Sequence, residues 1–182
     1  TVLGLEVFRD KNQGDRNGTT YGLFPNGETE QMGVYVQQPI DLGSSVSAVA
    51  GLRADRYRST PSDTTLRGNE GSAFSPKLYV TWETLKEETS ENSVFIGWGR
   101  GFNAPRLQDL YVSGLHFPGQ PPFAPNNFFQ ANPDLKPETA DTFETGTRGR
   151  ASSWTYSLVG FLTEASDFIL RDVNIQAGTT RF

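Results

Sequence analysis

The sequence predicts an all-β protein built from antiparallel strands, and three observations support this prediction. Apolar residues recur at every second position in short segments, as they do in strands whose two faces meet different surroundings. These segments are joined by connections that alternate between long polar loops and short turns. No segment shows the sustained apolar repeat at three and four residues that is typical of helices. Aromatic residues make up 12% of the 182 residues, which favours a folded chain.

The strand pattern begins at the first residues of the chain. Residues 2–9 form the first strand-like segment, and a polar loop covers residues 10–30. Residues 32–37 then alternate between apolar and small or polar side chains. A short turn at 41–44 separates them from a second alternating segment at 46–55. These two segments therefore predict a hairpin with a tight turn.

The same pattern continues through the middle of the chain. A second polar loop covers residues 59–73 and is followed by alternation at 77–83. A charged turn at 86–91 leads to the apolar alternation of 94–98. The longest loop, at about 102–139, comes next.

The last third of the chain adds one more hairpin. Residues 143–148 and 154–162 are joined by a tight turn, and a further strand is predicted to start near Ile169 or Val173. The connections thus run long, short, long, short, long, short. Outer-membrane barrels show this alternation, with all long loops at the extracellular end. A soluble β-sandwich or propeller also contains alternating strands, so the periodicity leaves both folds open.

Composition narrows the possible functions. The net charge is -5 and the pI is about 4.9, which argues against nucleic acid as a partner. The absence of cysteine removes disulfides, thiolate metal sites and cysteine nucleophiles. Apolar residues are 35% of the chain, and no apolar run approaches the ~20 residues of a membrane-spanning helix. A barrel places its lipid-facing residues at alternate positions, so its average hydropathy is that of a polar protein.

Enzyme chemistry has few candidate residues. His116 is the only histidine, and no Gly-x-Ser-x-Gly element is present for a serine nucleophile. The glycines at 97, 99 and 101 lack the spacing of a phosphate-binding loop. No His/Asp cluster predicts a zinc or calcium site, and no pair of carboxylates stands out for glycoside hydrolysis. We therefore predict that the protein is not an enzyme.

Several motifs occur in a fixed order and identify a family. They are Phe-Ser-Pro-Lys-Leu at 74–78, Gly-Trp-Gly-Arg-Gly-Phe-Asn-Ala-Pro-Arg-Leu-Gln-Asp-Leu-Tyr at 97–111, Asn-Pro-Asp-Leu-Lys-Pro-Glu-Thr at 132–139 and Phe-Glu-Thr-Gly at 143–146. Residues 33–37 and 51–57 look like earlier strands of the same pattern. Together these segments resemble the barrel domain of TonB-dependent outer-membrane receptors, across nearly the whole chain.

The resemblance implies a transmembrane β-barrel of about 22 strands whose lumen is filled by a plug domain. Residues 1–182 would supply about seven or eight of these strands and no plug, so both ends are expected to be truncations. The resemblance further implies a monomer in the lipid of the bacterial outer membrane. Energy would come from the TonB complex acting on the plug. An iron-bearing ligand would be transported, with no permanent cofactor.

Haem receptors of this family are similar to the chain in its longest loop. They carry a Phe-Arg-Ala-Pro box and an Asn-Pro-Asn-Leu box on either side of a histidine that binds haem iron. The corresponding boxes here are Phe102-Asn103-Ala104-Pro105 and Asn132-Pro133-Asp134-Leu135, with His116 between them. Asn103 replaces the arginine and Asp134 the second asparagine. Siderophore receptors have related boxes, so the choice of haem depends on His116.

The expected ligand site is therefore the loop around His116. A neutral imidazole is a standard axial ligand of haem iron, and His116 is the only metal ligand expected. Phe117 would add apolar area against a porphyrin, and Tyr111 an aromatic or phenolate contact. Haem or a haem protein is the first expectation and a ferric siderophore the alternative. A loop histidine among aromatics also fits plain packing. A soluble binding module or a glycosidase is a more distant reading.

Overall fold

A computed structural model describes residues 1–20, 23, 25–120, 124–174 and 177–182. No helix within these ranges is long and apolar enough to cross a membrane. The elements in chain order are β1 Val2–Asn12, β2 Asp15–Arg16, β3 Thr19–Thr20, β4 Gly27–Asp41, β5 Val46–Pro61, β6 Asn69–Lys86, β7 Ser90–Asn103, α1 Leu107–Tyr111, β8 Gly114–Phe117, β9 Asn127–Phe129, β10 Glu138–Ala151, β11 Trp154–Ser166, β12 Asp172–Asn174 and β13 Thr179–Arg181. The main feature is one antiparallel sheet of seven strands in the order β1-β4-β5-β6-β7-β10-β11.

The predicted all-β, antiparallel fold is confirmed, but the long strands extend further than the apolar alternation indicates. β1 continues to Asn12, which pairs with Gly27 at the start of β4. β5 likewise continues to Pro61, so the loop before β6 shortens to residues 62–68. The backbone ladder needs only N–H and C=O groups. The strand pairing therefore continues into segments where polar side chains interrupt the alternation of apolar residues.

The last predicted strand lies elsewhere. β12 does not join the large sheet but a second sheet of four strands, in the order β12-β13-β9-β8. β12 pairs antiparallel with β13, and β13 pairs parallel with β9 from the longest loop. The large sheet therefore has seven strands, the lower of the two numbers predicted. Segments from two loops build the small sheet beside it.

One face of the large sheet is apolar and exposed. Leu5, Val34, Ala54 and Phe74 stand directly opposite one another on four neighbouring strands. Leu5 is 64% exposed and Phe74 is 58% exposed. A continuous exposed apolar face of this kind fits a hydrocarbon environment or a binding partner. It is the face that alternation assigns to lipid in a barrel.

The opposite face carries paired charges. The Arg53 Nη2 donates to Asp55 Oδ1 at 2.6 Å, and its Nη1 lies 2.8 Å from Glu6 Oε2. Arg53 and Asp55 therefore form an ion pair on this face. Glu144 and Arg148 share this face without pairing, because Glu144 accepts a hydrogen bond from the Tyr79 hydroxyl and Arg148 lies over the Phe95 ring at 5.8 Å. These charged side chains contact groups on other strands, and they therefore stabilise the sheet.

Candidate functional site

Two loops meet at the end of the sheet where the long connections lie. The first connects β7 to β10 over residues 104–137, and the second comprises residues 167–182 after β11. The parallel pairing of β9 with β13 joins them. The backbone N–H of Phe128 donates to the carbonyl of Gly178 at 2.8 Å, and that of Gln130 to the carbonyl of Thr180 at 2.8 Å. The second loop is thereby fixed against the first.

His116 lies in β8 against a wall of aromatic rings. Its imidazole centroid is 4.3 Å from that of Phe129 and 4.8 Å from that of Phe117. Phe182 stacks on Phe129 with an interplanar angle of 2° and a centroid distance of 6.5 Å. His116 is itself only half-buried. The result is a partly accessible imidazole beside an apolar surface suited to a flat aromatic ligand.

The Nδ1 atom of His116 belongs to a buried polar chain. It lies 2.9 Å from the Thr180 hydroxyl oxygen, and that hydroxyl donates to Asn127 Oδ1. The Asn127 Nδ2 donates to the carbonyls of Thr179 at 3.1 Å and Asn174 at 3.3 Å. The side chains of Thr180 and Asn127 are both fully buried. In the described part of the chain no hydrogen bond involves Nε2 of His116.

A positive charge lies next to the same aromatic wall. The guanidinium carbon of Arg171 is 5.6 Å from the Phe129 ring centroid and 5.2 Å from that of Phe182. Such stacking orients the guanidinium without using its hydrogen-bond donors. The donors can therefore bind a carboxylate of a ligand.

A separate apolar cluster forms the base of the first loop. Leu107, Leu110 and Tyr111 of the short helix α1 are buried together, and Leu66 and Leu135 pack against them. Leu66 comes from the loop between β5 and β6, and Leu135 comes from the second sequence box. The cluster thus fixes the helix against the loop between β5 and β6 and against the second sequence box.

The first sequence box ends β7 and begins this base. Phe102 lies opposite Thr139 in the sheet, and Asn103 Nδ2 donates to Glu138 Oε2 at 2.9 Å. Ala104 is half-buried and Pro105 is buried. The box therefore closes the loop at its start and contacts β10, where the loop ends.

The second box closes the loop at the other side. Asn132 Nδ2 donates to the carbonyl of Phe182 at 2.8 Å. The carbonyls of Pro133 and Leu135 both accept from Asn69 Nδ2, at 3.0 and 2.9 Å. Asp134 forms an ion pair with Arg67. The box residues thus have partners within the chain, and among the predicted site residues the structure brings Phe117 directly against His116.

Tyr111 lies buried in the cluster at the loop base and not at the surface where it could contact a ligand. It is 2% exposed, and its hydroxyl donates to the carbonyl of Ser59 at 3.3 Å. Burial raises the pKa of the Tyr111 phenol, so it stays protonated at neutral pH. The expected phenolate contact is therefore disfavoured, and the side chain packs the loop base.

Gly27 offers a direct test of how the loop base rests on the sheet. A Cβ at this position would lie 2.6 Å from the carbonyl oxygen of Thr60 and 2.9 Å from Leu107 Cδ2. Gly27→Ala must therefore shift backbone or helix, and we expect a loss of about 1–3 kcal/mol in unfolding free energy. The measurement is the midpoint temperature of unfolding, followed as the heat-induced change of mobility on gels. Gly101→Ala is the control, because a Cβ there has nothing within 4 Å; equal midpoints for both variants would contradict the packing described.

The residues around Nδ1 were not identified from the sequence. Thr180 and Asn127 are 53 positions apart, and Arg171 lies in the same second loop as Thr180. A single polar residue in a loop has no periodicity that could mark it as buried. Gly178, whose φ is +66°, is a local signal that the chain turns before β13.

Known proteins similar to this chain include receptors named for haem. The chain is 28% identical over 189 residues to the "Hemin receptor" of Yersinia pestis, covering 98% of this chain and 27% of the relative. It is 30% identical over 150 residues to the "Heme/hemopexin utilization protein C" of Haemophilus influenzae, covering 79% of this chain and 20% of the relative. The chain thus spans about a quarter of the length of these curated relatives.

The fold also has a solved counterpart. It is the Serratia marcescens hemophore receptor HasR, solved as a double mutant in complex with its hemophore HasA and heme. The TM-score is 0.76 at 18% identity, with 98% of this chain and 33% of that chain covered, which shows a shared fold. Residues 2–182 match the family described as TonB dependent receptor-like, beta-barrel. The chain therefore belongs to the TonB-dependent receptor β-barrel family.

Proposed function

We propose that this chain is part of the barrel of a bacterial outer-membrane receptor that takes up haem, free or carried by a protein. The observation that carries the proposal is the half-buried His116, whose ring lies against Phe129 and Phe117 at the loop end of the sheet. The names of the similar Yersinia and Haemophilus proteins support the same ligand class. The family consists of transport receptors, in agreement with the expectation that this is not an enzyme.

Each part of haem has a matching group in the site. Nε2 of His116 would bind the iron, since an imidazole is a common axial ligand. The ring of Phe129 would pack against the porphyrin, whose area is mostly apolar. The guanidinium of Arg171 would pair with a propionate carboxylate. Haem is a transported ligand in this scheme and not a resident cofactor.

Membership of the family supports a proposed membrane placement and energy coupling. The exposed apolar row that includes Leu5 and Phe74 would face outer-membrane lipid. The paired charges around Arg53 would face the lumen. The TonB complex would supply energy through the plug of the full-length receptor. The loop end of the sheet would then face the outside of the cell.

A ferric siderophore is the second candidate. The same aromatic wall and Arg171 would also fit an anionic chelate with catechol rings. His116 would have no iron to bind in that case, because the chelator fills the coordination sphere. The two candidate ligands therefore differ in whether His116 contributes to binding.

Growth under iron limitation tests the proposal. The full-length receptor is expressed in a strain that lacks its own haem and siderophore receptors, with haem or single ferric siderophores as the only iron source. We expect growth on haem that depends on both the receptor and TonB. Growth on a ferric siderophore without growth on haem would overturn the haem assignment and support the second candidate.

A further inference from the structure

The hydrogen bond at Nδ1 of His116 determines what Nε2 can do. A neutral imidazole carries one N–H and one lone pair, and the nitrogen that holds the proton is fixed by its hydrogen-bond partner. Only a nitrogen with a free lone pair can bind a metal ion. The orientation of the groups around Nδ1 therefore decides whether Nε2 is a ligand.

Two carbonyl groups fix the orientation of the Asn127 side-chain amide. Its Nδ2 lies 3.1 Å from the carbonyl oxygen of Thr179 and 3.3 Å from that of Asn174. Carbonyl oxygens only accept hydrogen bonds, so the amide NH₂ must occupy this side of the side chain. Its other atom, Oδ1, faces Thr180 and can only accept.

Thr180 then has a single arrangement that satisfies both neighbours. A threonine hydroxyl has one proton, and Asn127 Oδ1 requires it. The hydroxyl oxygen must accept from its other partner, Nδ1 of His116, at 2.9 Å. Both Thr180 and Asn127 have 0% exposed surface, so no bulk solvent competes for these bonds. Nδ1 therefore holds the ring proton, and Nε2 holds the lone pair.

We propose that Thr180 and Asn127 are positioning residues that fix His116 as the Nδ1–H tautomer and direct its Nε2 lone pair to the ligand iron. This inference rests on the proposed function, because it concerns the same histidine. Histidine ligands of metals generally donate their second ring N–H to a neighbouring acceptor, and loss of that partner costs about 10- to 100-fold in metal affinity. The acceptor here comes from the second loop, and the pairing of β13 with β9 holds it next to the histidine of the first loop.

The tautomer itself can be measured before any ligand is added. Full-length receptor labelled with ¹⁵N-histidine is compared by NMR with the His116→Ala variant, which identifies the His116 signals by their loss. We expect the ¹⁵N shifts of the Nδ1–H tautomer in the wild type. A dominant Nε2–H tautomer would overturn the proposal, and this result does not depend on how any Thr180 variant folds.

Substitution of Thr180 tests the consequence for binding. Thr180→Val keeps the shape and removes the acceptor, so we expect haem affinity to fall about 10- to 100-fold. Thr180→Ser retains the hydroxyl and should restore the affinity. Wild-type affinity in Thr180→Val would contradict the positioning role. If the proposed function itself is wrong, a different result is expected: His116→Ala leaves the haem affinity unchanged.

Discussion

Replacing His116 with alanine in the full-length receptor is expected to weaken haem binding by at least about 100-fold, because the loss of a metal ligand should exceed the loss of a partner that merely orients it. The Soret band of bound haem should also change, since the axial ligand sets the electronic state of the iron. Titration of haem into the two proteins, followed by absorbance, measures both effects.

A matched control separates iron binding from general disturbance of the loop. Gln108 is exposed on α1 in the same loop, and alanine is favourable in a helix. Gln108→Ala should bind haem with wild-type affinity and spectrum. An unchanged spectrum and affinity in His116→Ala would show that the histidine has a packing role only.

Replacing Leu110 with alanine is expected to have the largest effect on the first loop. Leu110 has 0% exposed surface and lies in the apolar cluster at the loop base. Such truncations cost about 2–5 kcal/mol, because the removed methyl groups leave a cavity. The loop should then open more often, and 2 kcal/mol corresponds to about a 30-fold increase in the open population. The rate of limited proteolysis within residues 104–137 of the folded receptor measures this change.

Leu115 provides the control for that experiment. It belongs to the same loop but is 44% exposed. Leu115→Ala should therefore change the cleavage rate little. Similar rates for the Leu110 and Leu115 variants would contradict a packed loop base. Since Asn132 donates its backbone N–H to the Leu110 carbonyl, opening of the base should also loosen the second box.

The sheet could be predicted from the sequence because its two faces differ. Val34 and Leu52 alternate with small or polar neighbours, and this period of two is a direct consequence of strand geometry. The strand ends could not be predicted in the same way. Arg9 pairs with Glu30 in the ladder, and such polar pairs resemble loop residues in sequence.

The candidate site could be predicted only in part. His116 stands out as the single histidine, and the adjacent Phe117 was found with it. The two boxes mark where the loop closes, and the structure gives Asn132 a partner at the loop base, the carbonyl of Leu110. Thr180 lies 64 positions from His116, and contacts across such a distance leave no local pattern in one sequence.

Binding of haem and of metal-free protoporphyrin IX to the full-length receptor tests most directly whether His116 binds the iron. The two ligands share their porphyrin and propionates, so they differ only in the metal. We expect wild-type receptor to prefer haem by at least about 10-fold, and His116→Ala to lose most of that preference. The same preference in both proteins would contradict the account, because the iron would then have no partner at His116.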